Sequence, residues 1–414
     1  MNWGFNASMP KKKYSARTEV RKCNRGLLLF FYSFIRAYVA LSGVKIKTEN
    51  KCAKIEAPSI VLCNHGSFYD FLYVQMLLFK TQPNYITARL YFYHKILGTL
   101  LKKLGCFPKS MFATDLESTK NSLKVLNEGR VLTMMPEARL STVGVFEDIQ
   151  ENTYAFIKKC NVPVYTIKVC GDYLAKPKWA SSFRRGAVVE ATLEQLYTKE
   201  DIEKLEVSKI KKGVEERLYY NEFEWLKAHP EIKYRSKKMA EGLENILNTC
   251  PHCGGKHTLY TKGNELFCEH CGRLTSINNR YEFESGFKFK NLLDWYNWQT
   301  ELARKEISEN ESFALTAKVE LRLPSLDGKT MTRPAGKGIC TLTKDGLFFD
   351  GEKDGEPYSV SFSLKRVYRL LFGAGENFEI YNGSEILYFV PEDKRTCVDW
   401  YIASRILYDT SYHQ

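Results

Sequence analysis

Two groups of residues in this 414-residue chain have side chains and a spacing that suit catalysis or metal binding. His65 and Asp70 lie five positions apart, just after the apolar run 59–63. A neutral imidazole can take a proton from an attacking hydroxyl, and a carboxylate can hold the ring and stabilise the cation that forms. The second group consists of two C-x-x-C pairs separated by 14 residues: Cys250, Cys253, Cys268 and Cys271.

The spacing of His65 and Asp70 restricts the backbone that could bring them together. Five residues of continuous helix turn by about 140° from the starting face, so the two side chains would not meet on one helix. They can meet if His65 lies in a loop and a helix begins just after it. Ser67 is a favourable N-cap, and Asp70 stands at the capping-box position three residues later. The alternative is that Asp70 only caps the helix.

Short apolar runs alternate with longer helical stretches between about residues 45 and 195. Residues 59–63, 131–135 and 162–169 are predicted to form buried strands, whereas 118–126 have helical spacing. Alternation of this kind predicts an α/β domain on a largely parallel sheet.

These segments resemble the glycerolipid acyltransferase family, the PlsC-like lysophospholipid acyltransferases. Residues 64–70 match the family's N-H-x-x-x-x-D hallmark, which follows a strand. Residues 105–108, 135–141 and 162–164 resemble its second, third and fourth motifs, in that order. The resemblance covers roughly residues 25–195.

The resemblance implies transfer of a fatty acyl group from a coenzyme A or acyl-carrier-protein thioester. The acceptor would be the hydroxyl of a lysophospholipid or of a glycerol phosphate. His65 would be the general base and Asp70 would orient it. The substrate-binding residues that the resemblance implies are Glu137, Arg139, Ser141 and Lys109.

Two positions depart from the family's pattern. The third motif usually reads P-E-G-T-R-S, but Leu140 stands where the family has arginine, and Arg139 precedes it. In the second motif Met111 stands where a basic residue is expected, and Lys109 lies two positions earlier. The family's arginines are associated with the acceptor's phosphate, which a guanidinium binds in a bidentate manner. Solvated surface charge is the alternative role for Arg139 and Lys109.

The cysteine quartet has the spacing of a structural zinc site with four thiolate ligands, and it resembles a zinc ribbon. A closed set of four ligands leaves no open position for substrate, so we expect a structural Zn²⁺ with no catalytic part. Residues 249–275 contain three basic and two acidic residues, a net charge of +1. A nucleic-acid surface would need a basic cluster, so we expect no nucleic-acid partner.

The whole chain has a net charge of +13, which points to an anionic partner. Its mean hydropathy of −0.35 excludes a polytopic membrane protein. The first 25 residues are strongly basic and precede the apolar run 26–41. We expect a helix lying at the membrane interface, and a cytoplasmic protein held on the inner face of the cell membrane. The alternatives are an ordinary buried helix and, less favoured, a secretory signal.

The C-terminal part is rich in strand signals. Asp345-Gly346 and Asn382-Gly383 each suit a tight hairpin turn, and a helical pattern follows Pro391. Several strands before one terminal helix resemble a pleckstrin-homology or GRAM-like domain.

The sequence therefore predicts an α/β fold class: an acyltransferase-type sheet flanked by helices, a four-cysteine zinc ribbon, and a mainly β C-terminal domain ending in a helix. The predicted segments are 1–44 (basic segment and interfacial helix), 45–248 (acyltransferase domain), 249–276 (zinc ribbon), 277–310 (helical linker) and 311–414 (β-rich domain). The leading hypothesis is a peripheral membrane acyltransferase that uses membrane lipid and an acyl thioester. The alternative is a non-catalytic membrane adaptor whose ribbon and β domain bind a partner.

Overall fold

The computed structural model describes residues 20–112, 115–368, 370–383 and 385–412. Most of the predicted basic N-terminal segment, including Lys11, Lys12, Lys13 and Arg17, lies outside the described residues. The helices are α1 (Arg25–Leu41), α2 (Asp70–Leu77), α3 (Lys95–Lys103), α4 (Leu116–Asn127), α5 (Glu151–Cys160), α6 (Asp172–Ala175), α7 (Lys199–Lys204), α8 (Val207–Leu218), α9 (Glu222–Ala228), α10 (Leu292–Glu309), α11 (Leu364–Val367) and α12 (Cys397–Tyr412).

The strands fall into an N-terminal, a central and a C-terminal sheet. The N-terminal strands are β1 (Lys45–Asn50), β2 (Ser59–Cys63), β3 (Asn84–Ala88), β4 (Cys106–Lys109), β5 (Val131–Met134), β6 (Val164–Cys170) and β7 (Val188–Tyr197). The central strands are β8 (Leu259–Lys262), β9 (Glu265–Cys268) and β10 (Gly272–Ser276). The C-terminal strands are β11 (Ala314–Pro324), β12 (Thr332–Thr343), β13 (Gly346–Lys353), β14 (Glu356–Ser363), β15 (Leu371–Gly373), β16 (Asn377–Asn382) and β17 (Glu385–Pro391).

The N-terminal sheet has the order β1-β7-β6-β2-β5-β3-β4 and is parallel except where β7 runs against β6. Every residue of the central strand β2 is buried, because helices and loops cover both faces. The predicted largely parallel α/β sheet is therefore confirmed. The carboxyl ends of β2, β5 and β6 share one edge of this sheet, which is where parallel α/β folds place their sites.

The C-terminal sheet is antiparallel in the order β14-β13-β12-β11-β17-β16-β15. Its two predicted hairpins form, although each turn is displaced by one residue: Thr343 pairs with Gly346, and Asn382 pairs with Glu385. Helix α12 packs on this sheet, with Trp400 stacked 4.3 Å from Phe378 between ring centroids. A β domain ending in a helix thus fits the prediction, while its pleckstrin-homology or GRAM-like character stays a prediction.

One continuous apolar cluster runs from the N-terminal sheet through the central sheet to α12. The segment that leads into the central sheet is fixed to α10 and α12 by polar contacts. The indole of Trp295 donates to the carbonyl of Thr249 at 3.0 Å, and His257 Nε2 lies 2.6 Å from Asp399 Oδ2. The predicted linker 277–310 is helical only over α10. Within the described part of the chain, no helix has both the length and the apolar character needed to cross a bilayer.

A buried ion pair ties α12 to the N-terminal domain. Glu147 is 5% exposed and accepts hydrogen bonds from the hydroxyl of Tyr401 at 3.0 Å and from Arg405 Nη1 at 2.7 Å. A buried carboxylate that loses its donors carries the full cost of desolvation. This contact therefore couples the N-terminal domain to the C-terminal helix α12.

We expect Arg405→Ala to lower the free energy of unfolding by about 2 kcal/mol, because it removes a charged donor from a buried carboxylate. Arg333→Ala is the matched control, since its pair with Asp354 is about half exposed and should matter by less than about 1 kcal/mol. Urea unfolding followed by circular dichroism measures both changes. Equal decreases in the free energy of unfolding would show that the contact with Glu147 stabilises the fold no more than an exposed ion pair does.

Candidate functional site

The loop that follows β2 is held to β6 by one buried asparagine. Asn64 Nδ2 donates to the carbonyl of Val169 at 2.8 Å, and Asn64 Oδ1 accepts the N–H of Val169 at 2.7 Å. The side chain thus continues the parallel ladder beyond the end of β2. The next residue, His65, leaves the sheet from a fixed position.

His65 and Asp70 meet in this loop. Their Nδ1 and Oδ2 atoms are 2.8 Å apart, and the Asp70 carboxylate also accepts the N–H of Ser67 at 3.1 Å. The predicted helix begins slightly later than expected, at Asp70 with Tyr69 as its N-cap. Ser67 therefore does not cap α2 through its hydroxyl. Only the second half of the capping box is present, in which the acid accepts the earlier backbone N–H.

The electrostatics of the pair favour a neutral imidazole. Burial lowers the pKa of His65 to about 4, although the charge of Asp172 opposes this shift. Because an ionised carboxylate can only accept, the contact places the ring proton on Nδ1. Nε2 is then the free acceptor, and the side chain is 24% exposed. Burial also raises the pKa of Asp70 to about 7, opposed by hydrogen bonds from Asp172 and Ser67.

Glu137 and Ser141 hold the backbone of His65. Glu137 accepts the N–H of His65 at 2.7 Å through one oxygen and the N–H of Glu147 at 2.7 Å through the other. Ser141 donates its N–H to the carbonyl of His65 at 3.0 Å. Both side chains are fully buried. Both residues therefore position the backbone of His65, and their predicted contact with substrate stays a prediction.

Arg139 reaches the C-terminal domain. Its guanidinium lies 5.0 Å from the ring centre of Phe112 and 5.4 Å from that of Tyr401. Although Arg139 is only 8% exposed, its Nε and Nη1 have no hydrogen-bond partner among the described residues. The preceding Ala138 has φ of 58°, a left-handed conformation that favours glycine and that turns the chain sharply here. A buried guanidinium with free donors suits an anionic ligand.

Lys109 lies apart from these contacts, at the end of β4. Burial lowers its pKa, the charge of Asp115 raises it and that of Arg89 lowers it. Arg89 is itself occupied, since it donates to Asp115 at 2.8 Å and to Ser110 at 2.9 Å. Arg89 is therefore a structural cation, whereas the predicted contact of Lys109 with substrate stays a prediction.

Lys178 is a cation whose role the sequence did not single out. It lies 3.9 Å above the ring of Phe372, the middle residue of β15. Its pKa is lowered to about 8, mainly by burial; the charge of Glu147 opposes this shift and that of Arg139 contributes to it. Arg139 and Lys178 thus form a pair of desolvated cations under the C-terminal domain. Only the basic and aromatic composition of residues 176–179 hinted at this position.

Sequence reasoning also missed two buried acids behind the histidine. Asp172 and Glu222 are both fully buried. Glu222 accepts the N–H of Gly171 at 2.8 Å through each oxygen. Burial raises the pKa of both carboxyl groups well above the usual range; the charge of Asp70 adds to the shift of Asp172, and the charge of Asp172 adds to that of Glu222. Neither residue belongs to a recognisable sequence pattern.

The four cysteines converge as predicted. Their sulfur atoms all lie within 4.8 Å of one another, with Cys253 and Cys268 3.8 Å apart and Cys250 and Cys271 4.0 Å apart. A tetrahedral site with Zn–S bonds of about 2.3 Å needs sulfur separations of about 3.8 Å. The cluster could therefore hold a metal ion.

Comparison with known proteins bears on the N-terminal part. Residues 43–169 match the family model described as "Acyltransferase". This segment is an acyltransferase domain. It contains His65 and Asp70 and ends before Asp172, Lys178 and the cysteines, so the zinc-ribbon and β-domain assignments stay predictions.

Parts of this chain are also similar to individual proteins. A 1-acyl-sn-glycerol-3-phosphate acyltransferase of Bacillus subtilis (strain 168) is 24% identical over 94 residues, which are 23% of this chain and 47% of the relative. The chain thus spans about half the length of that curated relative. The crystal structure of the 1-acyl-sn-glycerophosphate (LPA) acyltransferase PlsC from Thermotoga maritima is 18% identical, with a TM-score of 0.36 over 46% of this chain and 79% of that one.

Proposed function

We propose that this protein transfers a fatty acyl group from a coenzyme A or acyl-carrier-protein thioester to the hydroxyl of a glycerolipid acceptor. The observation that supports this most directly is the His65–Asp70 hydrogen bond at the edge of the sheet. It lies within an acyltransferase domain and leaves Nε2 of the imidazole free as a base.

The reaction follows from the position of the proton. Nε2 of His65 takes the proton of the acceptor hydroxyl as the oxygen attacks the thioester carbonyl. The carbon–oxygen bond forms, the carbon–sulfur bond breaks, and the imidazolium returns its proton to the departing thiolate. Asp70 stabilises the imidazolium and keeps the ring in the productive tautomer. The acceptor hydroxyl attacks directly, so the buried Cys63 thiol is not needed as a nucleophile.

A phosphate-bearing acceptor, such as a lysophospholipid or glycerol phosphate, suits the two desolvated cations under the C-terminal domain, Arg139 and Lys178. Arg139 has buried N–H donors without partners, and Lys178 is a desolvated neighbour that could share the same anion. An anion would offset the repulsion between them. The Bacillus relative is named a 1-acyl-sn-glycerol-3-phosphate acyltransferase, which agrees with a phosphate-bearing acceptor.

A membrane surface as the source of acceptor is supported by exposed apolar side chains. Phe30, Phe34 and Leu41 of α1 are 67%, 67% and 80% exposed. Phe68 is 52% exposed and lies three residues from the histidine. A helix with this exposed face could lie in the bilayer interface and present the site to lipid. We therefore propose peripheral association with the inner face of the cell membrane.

The cysteine cluster is proposed to bind one structural Zn²⁺ through its four thiolates. Because Thr249 and His257, which flank Cys250 and Cys253 in the sequence, contact α10 and α12, the ion would stabilise the docking of the C-terminal β domain. That domain is proposed to be of the pleckstrin-homology or GRAM-like type.

The function is tested with purified protein, an acyl thioester and a panel of lysolipids. We expect His65→Ala to lower kcat on the order of 100-fold or more, because the general base is removed. His94→Asn is the matched control, since asparagine replaces the N-cap of α3 well and should leave activity unchanged. Because the pKa of His65 is lowered, the base stays neutral at mildly acidic pH. We expect kcat/KM to decline first as Asp70, whose pKa is raised to about 7, takes a proton, and to be lost as His65 is protonated towards pH 4.

Full activity in His65→Ala would overturn this mechanism. If no lysolipid is acylated by the unmodified protein while vesicle binding persists, the non-catalytic adaptor is the correct function.

The acceptor class is tested by substituting the two buried cations. We expect Arg139→Ala and Lys178→Ala each to raise KM for a lysophosphatidic acceptor by about 10-fold, because each removes a charged hydrogen-bond donor from the phosphate. KM for an uncharged monoacylglycerol should not change. Lys344→Ala, at an exposed hairpin, is the control. Equal losses with both acceptors would exclude a phosphate contact.

The metal is tested by elemental analysis of the purified chain. We expect about one zinc per chain, and we expect Cys268→Ser to lose zinc and melt several degrees lower. Cys52→Ser is the control, because that thiol lies far from the cluster in sequence and is half-buried. A folded protein without metal, or Cys268→Ser with full zinc content, would contradict the assignment.

A further inference from the structure

Asp172 is a buried acid next to the catalytic pair. It is the first residue of α6, directly after β6, and its side chain is fully buried. Its carboxyl group lies within hydrogen-bonding reach of the Asp70 carboxyl. Asp172 therefore neighbours Asp70, and it is close enough to the imidazole for its charge to act on His65.

Gly66 gives independent evidence for this position. A methyl group at residue 66 would come within 2.7 Å of Asp172 Oδ1 and 2.8 Å of Oδ2. Real Cβ atoms do not approach oxygen this closely, so the carboxyl of Asp172 fills the space that a side chain would need. The residue between His65 and Ser67 must be small because Asp172 packs against the loop.

Ionised Asp172 would be poorly solvated here. Neither of its oxygens has a hydrogen-bond partner of normal geometry among the described residues, although the N–H groups of Asp172 and Tyr173 lie near enough to lower its pKa. Two carboxylates in contact cannot both remain charged without large repulsion. The titratable groups that interact with the Asp70–Asp172 pair are Cys63, His65, Tyr73, Glu137, Cys170, Tyr220, Glu222 and Tyr234.

Those neighbours supply no compensating fixed cation. The acids among them add negative potential, and His65 is neutral in the resting site. A single proton shared by Asp70 and Asp172 removes the repulsion between the two carboxylates, because the pair then keeps only one negative charge. It also gives Asp172 a hydrogen-bond partner, because the protonated carboxyl becomes a donor. The charge then belongs on Asp70, which receives hydrogen bonds from His65 and Ser67.

We propose that Asp172 is a positioning residue of the acyl-transfer site: its protonated carboxyl donates a hydrogen bond to Asp70 and holds that carboxylate against the imidazole of His65. The assignment rests on the proposed function for its kinetic consequences. The shared proton itself is a property of the folded chain and can be observed without turnover.

The direct test is infrared spectroscopy of the full chain near neutral pH. We expect a carbonyl band of a protonated carboxylic acid that is missing from Asp172→Asn. The same comparison with Thr166→Val, on strand β6 and also fully buried, should show no such loss. Absence of the band difference would overturn the shared proton, whether or not the protein has acyltransferase activity.

The kinetic test compares two substitutions. Asn keeps a neutral donor, so Asp172→Asn should retain activity within about 3-fold and keep the acid limb of kcat/KM within about half a pH unit. Asp172→Ala removes the donor and should lower kcat on the order of 10-fold to 100-fold. Its acid limb should move to higher pH by about one unit, because Asp70 becomes easier to protonate.

The opposite ionisation predicts a different result. If Asp172 were charged, Asp172→Asn would remove a negative charge and move the acid limb to lower pH, which would overturn the proposal. A purely structural role would lower activity in both variants without moving the acid limb.

Gly66→Ala is a second test that does not depend on the folding of Asp172→Ala. Alone, it should displace the Asp172 carboxyl and lower kcat. The double variant with Gly66→Ala and Asp172→Ala should be no less active than Asp172→Ala. Additive losses would also contradict the proposal.

Discussion

The fixed backbone of His65 is the constraint on which the site depends. Its N–H is bound by Glu137 and its carbonyl by the N–H of Ser141, while Asn64 anchors the preceding residue to β6. Buried hydrogen bonds of this kind leave the loop no alternative position, because breaking one strands a polar group away from water. The imidazole can therefore meet Asp70 at 2.8 Å in a resting, preorganised geometry.

The hydrogen bonds of Glu137 also connect the site to helix α12, near the C-terminal end of the chain. Glu137 binds the backbone of Glu147, whose carboxylate receives Tyr401 and Arg405 of α12. The C-terminal domain is thus tied to the loop that holds the histidine, and its aromatic rings cover Arg139 and Lys178. Cover by aromatic rings desolvates these cations, which strengthens any interaction they make with an anion.

Burial sets the chemistry of this edge more than any single charge does. It lowers the pKa of His65, which keeps the base neutral, and it raises the pKa values of Asp172 and Glu222. One low-dielectric environment therefore shifts the pKa values of the acids and of the base. The hydrogen bonds decide which carboxyl group of the Asp70–Asp172 pair holds the shared proton. Helix α1 contacts the loop after the histidine, since the ring of Tyr38 lies 6.3 Å from that of Tyr69, which in turn contacts Phe68.

The sequence by itself determined the features that depend on local pattern. Apolar runs located β2, β5 and β6, dipeptide signals located the two hairpins, and spacing located His65, Asp70 and the cysteine cluster. Only the tertiary structure decided that Glu137 and Ser141 bind backbone, that Arg139 lies under Tyr401, and that Asp172 and Lys178 join the site. These contacts link residues up to about 260 positions apart, and non-local packing leaves no periodic trace in sequence. The sequence shows that Arg139 stands one position before the arginine of the third motif. Only the tertiary structure shows that Tyr401 of α12 packs against this guanidinium.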